Sequence, residues 1–289
     1  MFRLVQVKGE DAASFLQGQL TQDIGKIGGR CASLAAWCNP QGRVISVLRA
    51  LSLDDGFGLA LPAELAEPVL KRLLLYRLRA RAAIRLADDL QAMAVATAGD
   101  LDTLAARDLL PDETRGACRR ADGIVAFELG GPARCVELYG SRAGLAGLEL
   151  EAPLGIPDWQ RALIAAGIPT VTAATTEQYT PHMLNLDLLG AVSFSKGCYT
   201  GQEIVARTEY RGRTKRRLLH YRLADGEAAV GDRLMHDDRE VGEVLNAAGP
   251  DLLAVVPSEL QEQPLILNGE QASPVRLPYA AAQQQNADS

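Results

Sequence analysis

The chain has 289 residues, 47% hydrophobic and 23% charged, which is enough apolar content for two or three domains of an ordinary soluble protein. Its formal net charge of −6 disfavours a broad nucleic-acid-binding surface, and its apolar runs stop well short of the ~20 residues a membrane span needs. Five irregularly spaced cysteines argue against a disulfide framework and for a reducing compartment, and Met1 to Gln6 lacks a signal-peptide pattern, so a cytoplasmic monomer is expected.

Met1 to Val7 reads as a strand, and Glu10-Asp11 opens a helix with Phe15, Leu16 and Leu20 on one face, ending before Gly25. Cys31 to Trp37 and Arg43 to Leu53 are strand-like runs joined by the turn Asn39-Pro40-Gln41-Gly42. Phe57 to Leu61 follows another turn. Pro62 then starts a helix carrying Leu65, Val69, Leu70, Leu73 and Leu74, with Pro68 placed near its first turn. Residues 82–150 alternate between short strands (Ala92 to Thr97, Ile124 to Leu129, Arg134 to Tyr139) and a helix over Leu101 to Arg107, an α+β pattern. Trp159 lies on a helix that Gly167 and Pro169 end, where a tryptophan packs in the core more often than it stacks a ligand. After Arg217 come short strands, over 218–222, 232–235, 241–246, 252–257 and 265–267, which suggest a small antiparallel barrel. The polar tail, 280–289, is expected to be disordered.

The most informative stretch is Ser195 to Arg207, which follows the apolar run Leu184 to Phe194. Lys196-Gly197 breaks that run, and Thr200-Gly201-Gln202-Glu203 has the spacing of a capping box before a helix stopped by Gly212. Ile204, Val205 and Thr208 are expected to face inward. Cys198 then lies next to a helix start and a lysine, and both favour thiolate. Downstream, Arg207, Arg211, Arg213, Lys215, Arg216 and Arg217 form a basic cluster opposed only by Glu209, a candidate anion site. The histidines fall in unrelated segments and no Cys-x-x-Cys or P-loop occurs, so no permanent metal, iron–sulfur cluster or nucleotide is expected.

Lys196-Gly197-Cys198-Tyr199-Thr200-Gly201-Gln202-Glu203 resembles the signature of the YgfZ-type folate-binding proteins, accessory factors for iron–sulfur enzymes. Gln178-Tyr179-Thr180-Pro181, Asn185-Leu186, Leu189-Gly190, Arg211-Gly212 and the Gln17-Gly18-Gln19 stretch match as well. The resemblance implies a three-lobed α+β fold like that of the T-protein (aminomethyltransferase), with a C-terminal antiparallel β-barrel. The expected division is 1–30 plus 140–212 as a discontinuous folate-binding domain, 31–139 as an α+β (ferredoxin-like) domain, and 213–279 as the barrel. It also implies tetrahydrofolate in a cleft against Trp159 and Phe2, with Asn185, Arg207 and Arg211 assisting, and Cys198 with Lys196 as the reactive pair. Gly197, Tyr199, Thr200, Gly201, Gln202 and Glu203 would support them. The partners implied are iron–sulfur enzymes or assembly proteins, with an indirect link to tRNA. Where the T-protein carries its aspartate after the first hairpin turn, this chain has Ser46 and Val47, which cannot move a proton in that reaction. An accessory role is therefore expected ahead of a one-carbon transferase or an RNA-binding module.

Overall fold

In the computed structural model the described residues are 1–27, 31–211 and 214–280, and of Tyr210 and Arg211 only the backbone is described. The expected stop at Gly212, the side chain of Arg211 and the tail from residue 281 lie outside the described residues.

β1 (Phe2–Lys8) leads through α1 (Ala12–Gln17) and α2 (Ile24–Ile27) to β2 (Ala32–Cys38), β3 (Val44–Leu53) and β4 (Gly56–Pro62). α3 (Ala63–Arg77) and β5 (Ala83–Leu86) complete the first lobe, whose sheet runs in the order β2-β3-β4-β1-β5. β1 is thus a central strand, pairing antiparallel with both β4 and β5. The expected boundary near residue 31 cuts through this sheet, because β1 belongs with the strands that follow it. The first helix is also shorter than its periodicity suggests. It ends at Gln17, and Leu20 forms a bridge with Trp37. Pro68 falls sixth in α3, beyond its first turn.

A second sheet takes β6 (Leu90–Val95), β7 (Cys118–Ala121), β8 (Ile124–Glu128) and β9 (Val136–Ser141) in the order β6-β9-β8-β7, with α4 (Ala98–Ala106) and α5 (Arg142–Ala146) alongside. α6 (Ile156–Ala166) ends at Gly167, whose φ of 70° is the left-handed stop that glycine allows. After a long irregular stretch, α7 (Gln202–Arg211) leads into the third lobe. There β10 (Arg216–Leu223), β11 (Arg233–His236), β12 (Arg239–Ala248), β13 (Asp251–Pro257), β14 (Leu265–Leu267) and β15 (Glu270–Val275) close an antiparallel barrel. β15 shows little apolar alternation and contains Pro274, so only its pairing with β10 and β14 reveals it as a strand. The barrel has its own core around Tyr221, Leu234 and Val256, while Leu218, Leu245 and Leu253 face the main core.

Two pins join the lobes. Cys31 and Cys118 form a disulfide across 87 residues, so one bridge exists where the cysteine spacing pointed to none. Neighbouring residues do not foreshadow it, because only the packing of β2 near β7 brings the two together. The other pin is ionic. Arg49 on β3 grips Glu137 on β9 through Nε (2.8 Å) and Nη2 (2.9 Å), both side chains being fully buried. Burial alone would lower the Arg49 pKa, but Glu137 and Tyr139 together outweigh it and the pKa is raised. The remaining capacity of Glu137 is filled by the Tyr139 hydroxyl (2.6 Å) and by Trp159 Nε1 (2.8 Å) from α6.

Among the described residues, no helix is long and apolar enough to cross a membrane.

Candidate functional site

Three distant segments meet around Cys198. The first is the turn after α1, residues 17–22, whose Gln17 side chain accepts from the Ile24 amide (2.7 Å). Its carbonyls converge. Lys196 Nζ donates to Gln17 O (2.6 Å), Leu20 O (2.7 Å) and Gln22 O (3.0 Å), which uses all three ammonium protons. Burial lowers the Lys196 pKa to about 8, which leaves the amine mostly charged at neutral pH. Thr21 fixes the same turn from below, donating its hydroxyl to Ala191 O and accepting from the Ala36 amide.

The second segment is the β2–β3 hairpin turn. Gly201 has φ +82°, and a Cβ there would lie 2.4 Å from Asn39 O; Gly42 likewise faces Ile204 at closer than contact distance. Only glycine permits this approach of turn to helix. The third is the motif loop itself, in which Lys196 and Tyr199 point inward and are buried while Gly197 and Cys198 point outward and are exposed. Lys196 Nζ also lies 5.1 Å from the Tyr199 ring centroid. A Cβ at Gly197 would meet nothing within 4 Å among the described residues, which leave the approach to Cys198 open on that side.

The capping box takes another form. The Thr200 amide donates to Gly18 O (3.2 Å), and Gln202 Oε1 accepts from the Tyr199 amide (3.2 Å). Gln202, rather than Glu203, closes the helix start, because Gly18 already occupies the Thr200 amide. Of the three residues expected to face inward on α7, only Val205 is buried; Ile204 is exposed and Thr208 is half-buried. Arg207 is exposed on the same helix, as is Glu203. Through these three bonds Lys196 clamps the loop onto the turn after α1. Lys196→Met keeps the apolar stem and orphans three carbonyls, so it is expected to cost about 2–3 kcal/mol in a urea melt. An unchanged midpoint would remove the clamp.

Phe2 and Trp159 do meet, with ring centroids 5.3 Å apart edge to face, and Arg49 lies 4.7 Å over the Phe2 ring. Trp159 is only 3% exposed, its indole N–H is taken by Glu137, and Phe2 is 8% exposed. The cleft expected between them is therefore closed, because the core uses both rings to join β1, β3, β9 and α6.

Asn185 stands elsewhere, on the wall of a cavity of about 760 Å³ between residues 182–188, the end of α7 and the barrel. His182, Arg217, His220 and Tyr279 line it too. Asn185, at φ 55°, donates through Nδ2 to Leu218 O (2.7 Å) and Tyr279 Oη (3.1 Å). Its Oδ1 and His182 Nδ1 are buried without a partner among the described residues, a costly state that a ligand's polar edge would relieve. His182 Nε2 lies 3.0 Å from Glu209, while Arg217 Nη1 holds both oxygens of Asp187 (2.7 and 2.8 Å). His182, Asp187 and Glu209 are close enough to share an ion, but Arg217 already neutralises Asp187 and would repel one. Sequence reasoning passed over His182 and Tyr279. The only trace of His182 is its place directly after the matching Gln178-to-Pro181 stretch.

No protein-family model matches the chain. In structure it is similar to the glycine cleavage system aminomethyltransferase T from Bartonella henselae, at a TM-score of 0.75 and 17% identity, over 96% of this chain and 84% of that one. That likeness shows the fold. In sequence it is 31% identical to the tRNA-modifying protein YgfZ of Enterobacter sp. (strain 638), over 87% of this chain and 78% of the relative. It is likewise 31% identical to that of Edwardsiella ictaluri, over 97% and 91%. With the signature loop clamped onto its partner turn and relatives matched at 31% identity over more than three quarters of their length, the chain belongs to the YgfZ family.

Proposed function

We propose that the chain supports tRNA modification in the cytoplasm, as a folate-binding factor for iron–sulfur enzymes that acts through the Cys198 thiol. The relatives are named as tRNA-modifying proteins. The observation that carries the reading is the contrast among the three free cysteines. Cys38 and Cys135 are buried, and Cys198 is exposed on a loop anchored on its two sides by Lys196 and Tyr199. A packing cysteine needs no such scaffold. The transferase reading has no carboxylate at Ser46, which is buried with its hydroxyl donating to Val47 O.

The cavity beside Asn185 is where tetrahydrofolate is proposed to bind. Its volume falls in the range of small-molecule sites. The amide-like edge of a pterin offers the donor that Asn185 Oδ1 lacks and a partner for His182 Nδ1. Arg207, exposed on α7, is proposed to meet the anionic tail of the folate. Leu188 lines the cavity, so Leu188→Trp is expected to weaken tetrahydrofolate binding about tenfold or more in a fluorescence titration. Equal affinity would move folate out of this cavity. If the unaltered protein failed to bind it, the folate claim would fall and leave the Cys198 claim to its own test.

A further inference from the structure

α3 carries two apolar stripes. Leu65, Ala66, Val69 and Leu73 face the core. Leu74, Leu75 and Leu78 form the other, continuing from Lys71 with i, i+3, i+4, i+7 spacing, and they are 38%, 76% and 86% exposed. Leu78 ends the helix at φ 45°, a conformation that suits glycine far better than leucine. Both its exposure and its backbone are unfavourable, and nothing within the described residues offsets them.

The surroundings of this stripe are basic. Between Glu67 and Asp88 there is no acidic residue, while Lys71, Arg72, Arg77, Arg79, Arg81 and Arg85 all fall there. Arg72, Arg81 and Arg85 are paired with Glu177, with Glu10 and Asp11, and with Asp89. Lys71 and Arg79 have no carboxylate partner among the described residues. Arg77 donates to the Ala82 carbonyl.

We propose that this face of α3 docks an acidic amphipathic segment of a partner protein. The partner's apolar side chains would cover Leu75 and Leu78, and its carboxylates would meet Lys71 and Arg79. Three arguments select this occupant. A second copy meeting the same face about a two-fold axis would set Lys71 and Arg79 against their own like charges. RNA would satisfy the cations but gain nothing from three exposed leucines. The chain's own tail, residues 281–289, contains no large apolar residue that could cover them.

The test uses two labelled synthetic helical peptides with the same leucine stripe, one flanked by glutamates and the other by lysines, with anisotropy as the readout. The glutamate peptide is expected to bind at least about tenfold more tightly, with affinity falling as salt rises. Leu75→Asp with Leu78→Asp, and separately Lys71→Glu with Arg79→Glu, should each weaken it about tenfold or more while the melting curve stays unchanged. Equal binding of the two peptides, or binding that survives these substitutions, overturns the proposal. So does self-association in sedimentation, or tRNA binding, that the same substitutions abolish, since either gives the face to another occupant.

Discussion

Cys198→Ser is expected to fold as the parent does and to restore no tRNA modification in a cell lacking the protein. The side chain is exposed, so replacing sulfur with oxygen creates no cavity and orphans no buried group. The loop should stay in place, because its anchors are Lys196 and Tyr199 rather than the cysteine. Serine lacks the nucleophilicity and metal affinity of a thiolate, so any chemistry at this position should vanish. Iodoacetamide gives a cell-free counterpart. Cys198 should be alkylated first, Cys31 and Cys118 being bonded to each other and Cys38 and Cys135 buried. Burial also pushes the Cys38 and Cys135 thiols up to about 12, from an ordinary value of 9.0. Because the folded pKa is the higher one, the stability this contributes is whole below pH 9.0 and drains away as pH climbs toward 12. These two thiols should therefore react only where the protein unfolds. Full restoration of tRNA modification by Cys198→Ser would reduce Cys198 to a surface residue.

Arg49→Met should have the largest effect on stability, about 3–5 kcal/mol in a urea melt. The substitution leaves Glu137 wholly buried, with the Tyr139 hydroxyl and the Trp159 indole N–H as its remaining donors. Neither carries a charge, so the carboxylate keeps its desolvation cost and loses its counter-ion. The damage should reach both lobes, since the pair spans β3 and β9 and Arg49 also lies over Phe2 of β1. Adding Glu137→Leu should recover part of the loss, because an apolar pair removes the unpaired charge. Recovery should stay incomplete, because Tyr139 and Trp159 then lose their acceptor. If Arg49→Met alone melted like the parent, the pair would not be the pin between the sheets.

Local signals were enough for the elements whose causes are local. The β2–β3 hairpin follows from Asn39-Pro40-Gln41-Gly42, and the end of α6 from Gly167, because turn and cap geometry are set within a few residues. Five of the six barrel strands were legible from short apolar runs between turns, and the signature loop from its own eight residues. Tertiary structure alone placed β1 between β4 and β5, paired Cys31 with Cys118, and recruited β15 into the barrel. It also turned Lys196 toward carbonyls 174 to 179 residues away, and buried Trp159 against Glu137 where an open cleft was expected. The cavity walled by His182, Asn185 and Tyr279 has the same origin. Each of these contacts joins segments far apart in the chain. Which buried donor finds which acceptor is then decided when the lobes pack, and composition and periodicity carry no record of that choice.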